Sequence, residues 1–233
     1  MSIFPEGLKS QKVELTPEQK SAKFWTILSL VVMISASIWV DQFTKYRSQD
    51  HLMTWQSEED IRQYKGKLYP IFSLGTENAR ENGPYLAMNF SYVRNTGAAW
   101  GFMSGLEDSV RVPFFYAITA FAIFLIIRFI QMTPLSHRLQ RFALALILSG
   151  AFGNFIDRVV LNFVIDWIDV RWNFFGWYYA FPNFNFADSA ISVGAFFFLI
   201  DLLFLERKRR EDALKKFGIK DETVKSSGAA SEA

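Results

Sequence analysis

Five side chains with chemical capacity crowd the stretch GAFGNFIDRVVLNFVIDWIDV (residues 150–170): Asn154, Asp157, Arg158, Asp166 and Asp169. Upstream, Asp41 and Lys45 stand four residues apart; downstream, Asn185 and Asp188 stand three apart. Two carboxylates that share one proton can hydrolyse an amide without a metal or a covalent nucleophile. One takes a proton from water while its protonated neighbour polarises the carbonyl oxygen. Carboxylates in apolar segments also build proton relays and cation sites, so the pairing alone leaves those readings open. Composition narrows the field. The chain has no cysteine, which removes disulfides, a thiol nucleophile and a lipid-modified Cys. Its two histidines, His51 and His137, fall on opposite sides of the topology derived below, so a His-based triad or His-rich metal site is not expected. Neither a metal nor a cofactor is called for.

Each group also has a local reading. Asp41 and Lys45 can form a helix ion pair stabilising by a few tenths of a kcal/mol. Asn185 can cap a helix, with Asp188 in the first turn where the helix dipole favours a negative charge. Asp157 and the adjacent Arg158 read as a buried structural pair, while Asn154 and Arg158 share one helical face. Asp166 has no such local partner: it sits in FVIDW, apolar and without an adjacent cation. Asp201, deep in a later apolar run, reads as a packing or assembly contact.

The elements that must position these groups are oily. Phe24–Val40 is 17 residues without a charge, Val112–Gln131 is broken only by Arg128, Phe142–Ile156 is apolar apart from Ser149 and Asn154, and Ala190–Leu205 holds a single charge, Asp201. A bilayer core of roughly 30 Å needs about 20 helical residues. The expected fold class is therefore a membrane α-helical protein with four transmembrane helices, at about 24–43, 112–131, 141–157 and 188–206. LTPEQKSAKFW reads as the start of the first helix, with Thr16 as cap, Pro17 in the first turn and Gln19 three residues after the cap. A polar lead-in (1–23) precedes it and no small-residue cleavage site follows, so it reads as a retained anchor.

Orientation follows from basic residues. Lys20 and Lys23, then Arg128, Arg138 and Arg141, then the run Arg207–Arg210 all fall on one side if both termini are cytoplasmic. The segments 44–111 and 158–187 then lie outside, and Asp41, Lys45, Asn154, Asp157, Arg158, Asp166, Asn185 and Asp188 gather at the outer rim, with Asp201 far from them. The net charge of +2 is accounted for by this topology, so no nucleic-acid partner is expected. Within the outer segments, YLAMNFSYV (85–93) alternates as a strand with Ala87, Asn89 and Ser91 on one face, which implies a small extracytoplasmic β-sheet. RWNFFGWYYAFPNF (171–184) reads as an aromatic loop suited to the lipid headgroup layer. The tail 207–233 is basic at first and then reads as disordered.

Taken in order, DQFTK (Asp41 to Lys45), RNTGAAWGF (Arg94 to Phe102), GNFIDR (Gly153 to Arg158), VID (Val164 to Asp166) and FNFADSAISVG (Phe184 to Gly194) resemble the lipoprotein signal peptidases, the signal peptidase II family. That resemblance implies a four-span aspartyl protease of the bacterial cytoplasmic (inner) membrane. Its substrates would be prolipoproteins, cut just before a diacylglyceryl-modified cysteine within the lipid bilayer, by a monomeric enzyme. Carried onto this chain, it implies Asp166 and Asp188 as the catalytic pair. Asn154, Asp157, Arg158 and Asn185 would form the supporting polar shell, and Asp41, Lys45 and Asn95 would help shape the site. Trp167 stands where the family often has Phe, and the interval from Lys45 to Arg94 is long for it. The positive helix end favours the charge on Asp188, and apolar surroundings favour the shared proton on Asp166.

Overall fold

The computed structural model describes residues 16–52, 68–75, 83–96, 107–206 and 208–209. Four helices in it are long and apolar enough to cross a membrane. Helix α1 (Pro17–Leu52) begins with the capping box legible in the sequence: the Gln19 backbone N–H donates to Thr16 Oγ1 at 3.3 Å and the Thr16 N–H to Gln19 Oε1 at 3.0 Å. At about 1.5 Å per residue it extends roughly 54 Å, well beyond a hydrocarbon core of about 30 Å. The surplus at its C-terminal end reaches the sheet, where Ser48 Oγ donates to the Ser91 carbonyl at 2.8 Å. Helix α2 (Asp108–Met132) follows, then α3 (Arg138–Leu161), which Asn162 ends in the left-handed conformation at φ 64°. Helix α4 (Phe186–Ile200) runs on into a π turn, Asp201–Leu205.

The bundle is inside-out relative to a water-soluble one. Phe121, Phe196 and Phe204 are exposed, whereas Asp41, Lys45, Asn154, Asp157 and Asn185 are buried. Apolar side chains gain nothing by leaving lipid, so small residues that let backbones approach become the packing device. Helices α3 and α4 meet in this way. A Cβ on Gly150 would lie 2.3 Å from the Ala187 carbonyl oxygen, and one on Gly194 would lie 2.7 Å from that of Ala143. Ala143 and Ala187 are themselves buried, as is Ala190.

Four antiparallel strands form one sheet in the order β1-β2-β3-β4: Tyr69–Leu74, Tyr85–Asn95, Val164–Phe174 and Trp177–Ala180. The alternation expected for 85–93 is present, with Ala87, Asn89 and Ser91 buried on one face. The part of RNTGAAWGF beyond Thr96 lies outside the described residues. One expectation is corrected. The aromatic segment 171–184 is no loop in its first part: residues up to Phe174 complete β3, and Trp177–Ala180 pair back as β4. Phe175 (φ 58°) and Gly176 (φ 82°) supply the two positive φ angles a tight hairpin needs. The aromatic content hid the strands because its alternation places large rings on both faces.

Candidate active site

The end of the bundle nearest the sheet gathers the nine residues that the resemblance assigns to the site. Asp41 and Lys45 come from α1, Asn154, Asp157 and Arg158 from α3, and Asn185 and Asp188 from the start of α4. Asn95 comes from the end of β2 and Asp166 from β3. A register shift between Phe90 and Val93 sets Val93 opposite Asp166 and Asn95 opposite Val164. Bulges of this kind re-aim side chains. Here Asn95 Nδ2 donates to Asp166 Oδ2 at 2.9 Å.

Asn185 joins the two acids. Its side-chain amide donates to Asp166 Oδ1 at 2.8 Å, and its backbone N–H donates to Asp188 Oδ2 at 3.1 Å. The Asp188 N–H returns a bond to Asn185 Oδ1 at 2.9 Å, closing a capping box at the head of α4. The capping role read from the sequence and the bridging role are thus made by one residue. Asn154 holds the other side: its Nδ2 donates to Asp188 Oδ1 at 2.7 Å. Its Oδ1 accepts from Lys45 Nζ at 3.0 Å and from Asn185 Nδ2 at 3.2 Å. Three asparagines therefore donate to these two carboxylates, and none carries a charge to neutralise them. Asp166 is 2% exposed, while Asp188 is partly open. Burial pushes the Asp166 carboxyl up to about 7, the nearby Asp188 charge adds to the rise, and the amides of Asn95 and Asn185 oppose it.

Beneath this pair lies a second acidic cluster with its own cation. Lys45 Nζ is 2.7 Å from Asp41 Oδ2 and 3.1 Å from Asp157 Oδ2, with all three side chains at 2% exposure or less. Asp41 Oδ1 accepts the Ala187 N–H at 2.8 Å, and Asp157 Oδ2 accepts the Ile165 N–H at 3.0 Å. The trio thus stitches α1 to the heads of α4 and β3, far more than an isolated i,i+4 pair. It also corrects one reading. The cation against Asp157 is Lys45; Arg158 instead donates Nη1 to the Asn154 carbonyl at 3.2 Å and lies over the Phe115 ring at 5.8 Å. Its charge faces Asp188 first, then Asp166 and Asp157. Among the described residues no group of three or more His, Asp or Glu side chains is gathered so as to hold a metal ion.

Two participants were not singled out beforehand. Gln42 Nε2 donates to Asp157 Oδ1 at 2.9 Å and to the Gly153 carbonyl at 3.1 Å, tying the two halves of the trio. Its place beside Asp41 was the available signal. Tyr116 of α2 donates to the Arg158 carbonyl, and nothing in its apolar surroundings marked it. Asp169 stands apart from the site: it is bonded by Arg171 Nε at 2.8 Å and Asn89 Nδ2 at 2.9 Å within the sheet. Asp201 also keeps its distance, held by Arg209 Nη2 at 2.6 Å.

Fold and site together define a helical membrane protein with a carboxylate pair held by amides at one end of a four-helix bundle. The profile of signal peptidase (SPase) II matches residues 33–204, and the chain belongs to that family of bacterial membrane peptidases. The lipoprotein signal peptidase of Staphylococcus haemolyticus is 33% identical over 181 residues, which are 78% of this chain and 94% of that one. The lipoprotein signal peptidase of an Anaeromyxobacter species is 32% identical over 182 residues, 73% of this chain and 81% of its own. Among solved structures, a bacterial membrane enzyme determined at 1.9 Å superposes with a TM-score of 0.52 at 30% identity, over 76% of this chain and 94% of that one.

Proposed function

We propose that this chain is an aspartyl endopeptidase that removes signal peptides from prolipoproteins, cleaving before a diacylglyceryl-modified cysteine, with Asp166 and Asp188 as the catalytic pair. The observation that carries the reading is the bridge through Asn185, which holds both carboxyl groups by amide donors and supplies no positive charge between them. Buried as it is, Asp166 keeps a proton near neutral pH, and Asp188 takes the negative charge. Asp188 removes a proton from water as its oxygen attacks the scissile carbonyl carbon. Protonated Asp166 gives its proton to the carbonyl oxygen, producing a neutral gem-diol. The proton held by Asp188 then passes to the amide nitrogen and the C–N bond breaks. The diol returns a proton to Asp166 as the new carboxyl group forms.

In this reading both termini are cytoplasmic and the carboxylate pair lies at the outer surface of the bacterial inner membrane. The substrate's apolar signal helix stays in the bilayer among the four spans, and the β3–β4 hairpin, rich in exposed rings such as Phe175 and Trp177, rests in the headgroup layer. In this reading the enzyme acts as a monomer. The test is incubation of the purified protein with a diacylglyceryl-modified precursor. Release of the signal peptide is expected from the native chain and not from Asp166→Asn or Asp188→Asn. Turnover near the native rate in either variant removes that residue from the pair.

A further inference from the structure

The opposite end of the bundle, about 27 Å away along α1 from Asp41 to Lys23 at 1.5 Å per residue, holds a different kind of site. A cavity of about 760 Å³ opens there between α1, α2 and α3, a size within the range of about 300–1,000 Å³ usual for ligand pockets. Its walls are apolar, with Ile27 and Val31 from α1, Ile127 and Ile130 from α2 and Leu148 from α3. Two cations also line it: Lys23 and Arg141. A second cavity, of about 440 Å³, shares Leu30 and Arg141 and adds Arg138 and Trp25.

Arg141 is the unusual member. It is 6% exposed, and its Nη1 donates to the carbonyls of Thr133 at 2.8 Å and Ile130 at 3.2 Å, closing the end of α2. Its Nε–H is buried and has no acceptor among the described residues. No carboxylate among the described residues pairs with it. A buried guanidinium with a free donor calls for an anion, and phosphate oxygens match its planar fork. The carboxylate cluster at the other end answers its own lysine from within the chain; here no counter-charge stands among the described residues.

We propose that this groove binds an anionic phospholipid of the cytoplasmic leaflet, its phosphate against Arg141 and Lys23 and an acyl chain along the apolar walls. Basic pockets between membrane helices on the cytoplasmic side select such headgroups. The competing occupant, the leading end of a substrate signal peptide, is itself positively charged and is repelled by the same cations.

The test uses the full chain, purified and delipidated in detergent. Native mass spectrometry and thermal unfolding are followed as phosphatidylglycerol, phosphatidylcholine or inorganic phosphate is added. Phosphatidylglycerol is expected to be retained and to raise the unfolding temperature, while the other two do neither. Lys23→Gln should weaken retention about fivefold, and Arg141→Gln should abolish the preference. Val31→Trp, which fills the groove and leaves both charges, should lower retention as well. If Arg141→Gln fails to fold, Lys23→Gln and Val31→Trp decide. Equal retention of the two lipids by the native chain overturns the proposal, as does a full shift from inorganic phosphate alone. So does a Val31→Trp chain that binds lipid normally but shows a raised KM for the precursor, which assigns the groove to the signal helix.

Discussion

Two acidic pairs lie within one network, and they are treated oppositely. Asp41 and Asp157 share the Lys45 ammonium group and are tied further by Gln42 and two backbone N–H donors. Asp166 and Asp188 are held by Asn95, Asn154 and Asn185, which orient carboxyl oxygens and bring no charge. Buried carboxylates with a shared cation at hydrogen-bond distance are fixed in place as a strut between helices. Asp166, equally buried but hydrogen-bonded only by amides, is raised to about 7 by its burial, which is the condition for acid–base work near neutral pH. Burial alone does not separate the pairs, since Asp41, Asp157 and Asp166 are all 2% exposed or less. The nature of the donor does.

The largest expected effect tests the amide-held pair. Asp166→Asn and Asp188→Asn should each lower kcat/KM for a lipidated precursor by about 10²–10⁴-fold, the usual size of a lost acid–base contribution. The double variant should be little worse than either single one, because the pair acts as a unit. Thermal unfolding in detergent at neutral pH should show no loss of stability in either variant. Loss of fold in Asp166→Asn would put this residue in the same structural role as Asp157 and dissolve the contrast.

For the lysine-held pair the expectation reverses. Lys45→Met leaves two buried carboxylates without their cation and should destabilise by about 3–5 kcal/mol, read from the unfolding midpoint. Adding Asp157→Asn to that variant should recover part of the loss. A Lys45→Met protein that is stable yet inactive would move Lys45 from the strut into the chemistry.

Acidity gives a third handle. Asp166 is raised from 3.8 to about 7 by burial and by the Asp188 charge. A carboxyl group raised on folding binds its proton more tightly in the native state, so its contribution to stability is present below about pH 4 and is lost as pH rises toward 7. Thermal unfolding of the native chain should therefore show a decline over that window that Asp166→Asn lacks. Activity requiring the protonated form should likewise fall as pH passes through about 7.

The helix seam beneath the pairs predicts a smaller effect. A Cβ on Gly153 would meet Asp41 Oδ2 at 2.5 Å, so Gly153→Ala must displace the carboxylate that Lys45 holds. Overpacking of this kind costs about 1–3 kcal/mol, and the variant should lose stability before it loses the pH profile.

Much of this was legible in the chain itself. Apolar length fixed the four spans, and Thr16 with Gln19 marked the start of α1. Asp41, Lys45, Asn154, Asp157, Arg158, Asp166, Asn185 and Asp188, singled out by type and position, do converge, and Asn95, implied by the resemblance, joins them, whereas Asp169 and Asp201 pair elsewhere. Ionisable groups are retained in apolar segments where partners await them. What could not be read was who pairs with whom. Asp157 sits next to Arg158 in sequence, yet 111 to 115 residues of chain separate α1 from the groups that Gln42 binds. Adjacent residues on a helix point in different directions, so neighbourhood in sequence was a poor guide there. The β3–β4 hairpin was missed for a related reason. A strand lying at a membrane surface carries rings on both faces, so the period of two that marks a half-buried strand is erased.

The same strand offers the finest discrimination. β3 carries Asp166 near its beginning, where residues 164–169 are buried, and ends at a hairpin tip where Phe175 is fully exposed. Phe175 holds φ at 58°, a left-handed conformation that a bulky residue adopts at a cost of about 1–2 kcal/mol. Asparagine enters that region far more readily and precedes glycine in favoured two-residue turns. Phe175→Asn should therefore raise the stability of the detergent-purified protein by about 1 kcal/mol or less, measured from its unfolding temperature. In liposomes the lost ring should raise KM for a membrane-borne precursor, since a headgroup-layer contact disappears while the carboxyl pair is untouched. The pH dependence of kcat should not move. A shift in that profile would mean that the hairpin tip reaches the proton on Asp166, and the amide frame would no longer suffice to set it.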